Sequence, residues 1–239
     1  VDRSELRRDK PAAWLKYTPE YAVLAGDYLL ARVMVNLSRY GNLKLIQLTA
    51  EIISDLLEGE WIQDSLIEDW DVSLTQLDRV HNLKTASLFK WCMRAPFIAL
   101  GDDRPELHKL LIEMGSLLGI LFQRSDDLLD FDIRNYEGKA ILSDLKSGYM
   151  NSYAAFLTNG LDERKRLRFK ECKSLEDIYK VLGEDYFFNK LKEFDTHNEK
   201  VMRLYSHYAD EVENLLGPEK AKLVDEFRLL PAILYWRKA

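Results

Sequence analysis

The stretch FQRSDDLLD, Phe122 to Asp130, decides how this chain is read. On a helix, offsets of one, three and four residues keep Asp126, Asp127 and Asp130 on neighbouring positions of one face. Three adjacent carboxylates repel one another, so on an apolar helix they call for a neutralising hard cation. Mg²⁺ prefers oxygen ligands and is held by one or two carboxylates while substrate phosphates complete its octahedron. For an isolated DDxxD the ordinary alternative, a solvated acidic helix face, is the better reading. Here the preceding run MGSLLGILF, Met114 to Phe122, is almost wholly apolar, which places the helix centrally and turns its carboxylates towards a cavity. The segment therefore reads as a place to hold magnesium and, through it, a diphosphate.

Working outward, apolar residues recur at helical spacings and only 6 prolines interrupt 239 residues, so the expected fold class is all-α. Helices are expected over residues 20–40, 43–66, 73–100 and 106–131, with breaks at Gly41, near Asp69 and at 101–105. Residues 134–148 read as a loop bearing functional groups. Shorter helices are expected at 151–158, 162–172 and 175–182, then a long one at 185–216, and Gly217 and Pro218 precede a terminal helix. About 25 helical residues span nearly 40 Å, enough to line a deep pocket, although the same Leu and Ile stripes serve any bundle core.

Composition suits one globular domain spanning residues 1–239, with 47% hydrophobic and 31% charged residues. With 34 basic and 40 acidic side chains the chain is net negative, which argues against a general nucleic-acid surface. An anionic substrate must then be drawn by a few placed cations. Cys92 and Cys172 alone do not suggest a disulfide framework, so a reducing compartment, the cytoplasm, is expected. No run of about 20 apolar residues predicts a transmembrane helix, and the opening DRSELRRDK does not read as a signal peptide.

Several further segments fall into order around the aspartates: DRSELRRDKP (2–11), AVLAGDYLLARVM (22–34), EGEWIQ (58–63), KTASLF (84–89), Gly138-Lys139, and the closing LPAILYWRKA. Together with FQRSDDLLD this series resembles the trans-polyprenyl diphosphate synthases over essentially the whole chain. The resemblance implies an isoprenoid-synthase-type bundle of long helices around a central cavity. It also implies magnesium-dependent condensation of an allylic diphosphate with isopentenyl diphosphate to an all-trans polyprenyl diphosphate of medium or long chain. In that frame Asp126, Asp127 and Asp130 bind magnesium, and Asp2 joins the opposite metal cluster as the last aspartate of the first motif. Lys84 and Lys139 hold the allylic diphosphate, and Thr85 and Gln123 lie beside the reacting carbons. Arg7 reaches the allylic diphosphate, Arg8 binds isopentenyl diphosphate, and Glu60 and Gln63 line the same cavity. A homodimer is implied, with 22–34 and 43–57 as interface helices, and peripheral membrane contact would serve product release.

Read alone, the same residues have plainer explanations: Arg7 and Arg8 as a solvated surface pair, Lys84 and Thr85 as ordinary helix positions. The chain also departs from the family pattern. By the likeness it begins inside the first aspartate-rich motif, so the two leading aspartates and the upstream helices would precede Val1, and a piece of a longer protein is expected. The segment after Asp130 is one residue short and offers Asp132. Tyr149 stands where many members carry a lysine, with Lys146 one turn away. Two alternatives follow: a non-catalytic regulatory subunit of a heteromeric synthase, and a class I terpene cyclase, which shares the all-α metal logic but not usually the paired arginines and the Gly-Lys loop.

Overall fold

A computed structural model describes residues 6–7, 10–131 and 141–236. Asp2, Arg8, Asp132, Gly138 and Lys139 lie outside the described residues. The chain divides into two compact units, residues 1–49 and 50–239.

In the first unit, strands β1 (Leu6–Arg7) and β2 (Lys10–Pro11) pair antiparallel with Arg7 opposite Lys10. Helix α1 (Ala13–Lys16) follows, then α2 (Pro19–Tyr40). The start of α2 is fixed locally: the Thr18 hydroxyl accepts from the Tyr21 amide at 3.3 Å, and Pro19 supplies a pre-set φ in the first turn. Its end is Gly41 at φ 79, a left-handed position that favours glycine. No residue of α2 is buried, and Tyr21, Leu24, Tyr28 and Leu29 are exposed apolar groups. Helix α3 (Leu43–Ser65) opens under an Asn42 cap, whose Oδ1 accepts from the Leu45 amide at 3.1 Å, and crosses the division between the units.

The second unit continues with α4 (Leu74–Lys84), α5 (Ala86–Ala99) and α6 (Pro105–Leu129). Short helices α7 (Ser143–Lys146), α8 (Ser152–Thr158), α9 (Glu163–Lys170) and α10 (Leu175–Leu182) lead to α11 (Glu184–Leu216). A 3₁₀ turn, Pro218–Lys220, joins it to α12 (Ala221–Tyr235). Ser73 and Gln76 form a capping box on α4, and Asn151, Asp162 and Ser174 cap α8, α9 and α10.

One expectation is corrected. The helix expected over 73–100 is two, broken at Thr85. The carbonyls that would continue the ladder are taken by side chains of α5: the Ser87 hydroxyl donates to Leu83 O, and Lys90 Nζ donates to Asn82 O at 3.2 Å. Glycines let neighbouring helices close on this break. A Cβ on Gly59 of α3 would lie 2.6 Å from the Lys84 amide nitrogen, and one on Gly119 of α6 would lie 2.2 Å from Ala86 Cα.

Two apolar clusters flank the break. One gathers Met93, Leu107, Leu111, Met114 and Leu118 with Tyr205 of α11. The other surrounds α8, where Tyr153 meets Phe131 and Phe187 edge-on at centroid distances of 5.0 and 5.5 Å. The last two turns of α6 run along this second cluster, and that is where its polar groups are buried.

Candidate functional site

The site is built at the α4–α5 break and the C-terminal half of α6. Lys84, the last residue of α4, points its ammonium at α3, 2.7 Å from Glu60 Oε2 and 3.0 Å from Gln63 Oε1. Glu60 and Gln63 share a face because they are three residues apart on α3. Thr85, at the break itself, donates from Oγ1 to Gln123 Oε1 at 3.0 Å. Gln123 passes the polarity on, its Nε2 donating to Asp127 Oδ1 at 3.0 Å one turn later.

Asp127 is 4% exposed. Its Oδ2 accepts from the Ser152 amide at 2.8 Å, the first amide of α8, and His81 Nε2 lies 3.8 Å away. Burial pushes the Asp127 carboxyl up, against the pull of these hydrogen bonds. The same burial drives the His81 imidazole down to about 4, so His81 faces Asp127 as a neutral ring.

Asp130 accepts at Oδ1 from the Ser143 amide (2.7 Å) and hydroxyl (2.6 Å), and at Oδ2 from the Asp144 amide at 3.3 Å. It thereby holds the N-terminus of α7, where a carboxylate is favoured by the exposed amides. Asp144, which sequence reading overlooked, accepts from Asn151 Nδ2 at 3.0 Å and is pushed up to about 7, first by burial and then by Asp130 and Asp127. Burial also raises the Asp130 carboxyl and the Tyr149 phenol, the latter further by Asp127, Asp144 and Glu60. Tyr149 therefore sits among these acids. Asp126 is half-buried, unlike its two neighbours in the motif.

The structure thus brings Glu60, Gln63, Lys84, Thr85, Gln123 and Asp127 into linked contacts, with Asp130 anchoring the adjoining α7. Arg7 has its backbone in β1 of the first unit. Lys146 Nζ donates to the Ile141 carbonyl at 2.8 Å and braces its own loop. His81, Asp144, Asn151 and Ser152 were missed. Only the last two carried a signal, an Asn-Ser pair before an apolar run, and it marks a helix start rather than a site.

The acids offer only oxygen donors, and burial first, then the neighbouring acids, raises the Asp127, Asp130 and Asp144 carboxyls; a hard cation suits such a set. Among the described residues no group of three or more His, Cys, Asp or Glu is arranged to hold a metal alone. The arrangement fits the magnesium mode in which one or two carboxylates act with phosphate oxygens, and does not fit an all-protein cage.

The fold is that of the isoprenyl diphosphate synthases. A polyprenyl synthase from Caulobacter crescentus, solved with calcium and isoprenyl diphosphate, superimposes with a TM-score of 0.77 at 22% identity, over 100% of this chain and 72% of that one. Residues 1–182 match the polyprenyl synthetase family model, and the chain belongs to that family. A probable mitochondrial hexaprenyl pyrophosphate synthase of Neurospora crassa is 34% identical over 171 residues, 68% of this chain and 38% of that protein. A prenyl transferase of Synechocystis is 32% identical over 211 residues, 85% of this chain and 64% of that protein. The chain spans less than two thirds of the length of either relative. None of its described helices is long and apolar enough to cross a membrane.

Proposed function

We propose that this chain provides the second metal-diphosphate half of a trans-polyprenyl diphosphate synthase, condensing an allylic diphosphate with isopentenyl diphosphate to a medium- or long-chain product. The observation that carries the reading is the linked run from Lys84 and Thr85 through Gln123 to Asp127, which puts a cation, a hydroxyl and an amide beside the aspartate-rich turn.

In this reading Asp126 is the principal magnesium ligand, with Asp130 and Asp127 behind it. Magnesium, when bound, neutralises the charge that develops on the departing diphosphate. Lys84 binds that diphosphate by exchanging its Glu60 partner for phosphate oxygens. Lys139 and Arg7 add further cations, Arg8 takes isopentenyl diphosphate, and Asp2 belongs to the opposite metal cluster. Gln123 and Thr85 orient each other at the reacting end, where donors fixed before reaction act without reorganisation. The apolar walls of α5 and α6 exclude water from the carbocation.

The protein acts as a homodimer, supported by the exposed apolar groups of α2 and by the family relationship. The cytoplasm is the proposed location, in keeping with the two free thiols, and release of a long isoprenoid involves peripheral membrane contact.

A second reading has its own support. Lys84 is already paired with Glu60, Asp127 and Asp130 are bonded to the protein, and Tyr149 sits as a phenol among acids; a non-catalytic subunit of a heteromeric synthase would carry such a site. Incorporation of labelled isopentenyl diphosphate by the intact protein, with magnesium and several allylic primers, separates the two. A product ladder ending at one chain length supports the synthase. No incorporation by folded protein with any primer supports the subunit.

A further inference from the structure

Between α4, α6, α11 and α12 lies a buried polar network to which the proposed chemistry gives no part. Arg124, next to Gln123, is 2% exposed. Its Nη2 donates to both carboxylate oxygens of Asp78 on α4, each at 2.8 Å, and its Nη1 donates to Asn198 Oδ1 on α11 at 2.6 Å. Asn198 Nδ2 donates in turn to the Tyr235 hydroxyl of α12 at 3.0 Å, and that hydroxyl donates to Asp195 Oδ1 at 2.7 Å. Ser125 Oγ closes the figure by donating to the Tyr235 carbonyl at 2.9 Å. Three helices meet at one guanidinium, and α12 joins them through Asn198 and Ser125.

Stability alone is a poor reason for such a pair. Replacing a buried ion pair by apolar groups of similar volume is often neutral or stabilising, because desolvation offsets much of the attraction. What a planar guanidinium adds is direction, since its N–H groups donate in fixed directions within one plane. Thr85 follows the last residue of α4, seven residues after Asp78, and Arg124 is adjacent to Gln123 on α6. The Asp78–Arg124 pair and the Thr85–Gln123 hydrogen bond therefore tie the same two stretches of chain together, the first along α4 and the second just past its end.

We propose that Arg124, gripped by Asp78 and Asn198, is a positioning residue for the diphosphate site: it sets α6 against α4 so that Gln123 meets Thr85 and carries Asp127 with it. The proposal rests on the diphosphate reading given above for its effect on turnover, though not for its effect on α6 itself.

The test uses the double variant Asp78→Leu/Arg124→Met in the intact protein, which removes the pair without stranding a charge. The expected result is a melting temperature close to that of the parent, with kcat down on the order of 10²-fold, the scale of a roughly 1 Å misplacement. KM for isopentenyl diphosphate should change little, and amide hydrogen exchange over residues 122–130 should rise. Arg124→Lys, which keeps the charge but not the fork, should recover only part of kcat. A folded double variant with parental kcat and parental exchange overturns the proposal. Should the double variant fail to fold, Arg124→Lys carries the same test, with lowered kcat in a folded protein expected and parental kcat with parental exchange overturning it. Should the parent itself show no turnover with any primer, the diphosphate reading fails, and exchange over 122–130 decides the clamp: parental exchange in a folded variant overturns it.

Discussion

The two halves of α6 share one helix and bury opposite chemistry. From Leu107 to Leu118 the buried positions are leucines and a methionine, with Gly115 and Gly119 admitting α5 at contact distance. From Arg124 to Asp130 the helix buries Arg124, Ser125, Asp127 and Asp130, and each has a partner: Asp78 and Asn198, the Tyr235 carbonyl, the Ser152 amide, and Ser143. A buried polar group is costly without a hydrogen bond and a buried charge more so, and among the described residues only Nε of the Arg124 nitrogens is left without a partner. The first half behaves as an anchor and the second as a site whose geometry is held from four sides. The proposed function sits where burial is most expensive.

The largest expected effect comes from the polar half. Asp126→Ala in the intact protein should lower turnover by roughly 10³-fold, the upper range for removing one group that stabilises developing charge, measured by isopentenyl diphosphate incorporation at saturating magnesium. Unchanged turnover would break the contrast, since the half-buried acid would then be surface decoration.

Next comes the anchor. Gly119→Ala places a methyl 2.2 Å from Ala86 Cα, where only backbone movement relieves the clash. A loss of about 3 kcal/mol is expected, outweighing about 1 kcal/mol of gained helix propensity. A fall in melting temperature of several degrees in calorimetry checks it, and a rise would show that α5 and α6 do not approach so closely.

A third test concerns pH. The folded Asp144 carboxyl is raised from an ordinary 3.8 to about 7, so the native state holds its proton more tightly than the unfolded chain. Its stabilising contribution is full below 3.8 and is lost as pH rises through about 7. Urea midpoints of the parent should therefore carry a downward component between those limits that Asp144→Asn lacks, leaving the variant the more stable at pH 8. Magnesium at pH 8 should move the parent in the same direction by relieving repulsion among the acids. Identical pH profiles would remove Asp144 from the cluster.

The smallest effect is reserved for the apolar half. Leu111→Met conserves volume and should cost under about 1.5 kcal/mol, with turnover unchanged. A large loss of activity there would erase the distinction between the halves.

Much of this was legible from residues alone. The long helices followed from periodicity and from proline and glycine placement. That Glu60, Gln63, Lys84, Thr85, Gln123 and Asp127 belong to one region followed from the resemblance, whereas spacing alone pointed only to the aspartates. Other features were not legible, because they depend on tertiary approach. The break at Thr85 comes from Ser87 and Lys90 capturing carbonyls, and no local propensity announces it. His81 and Asp144 look like unremarked polar residues until α6 and α8 bury them beside Asp127 and Asp130. Nothing in FQRSDDLLD singles out Arg124, and only the fold shows it to be among the most buried side chains.

Whether the end of α6, with Lys84, receives a diphosphate through magnesium decides the proposed function. Titration calorimetry of the intact protein with an allylic diphosphate, with and without magnesium and repeated on Asp126→Ala, measures this directly. Binding that requires magnesium and is lost in Asp126→Ala is the predicted result; equal binding with the metal chelated, or by the variant, would contradict it.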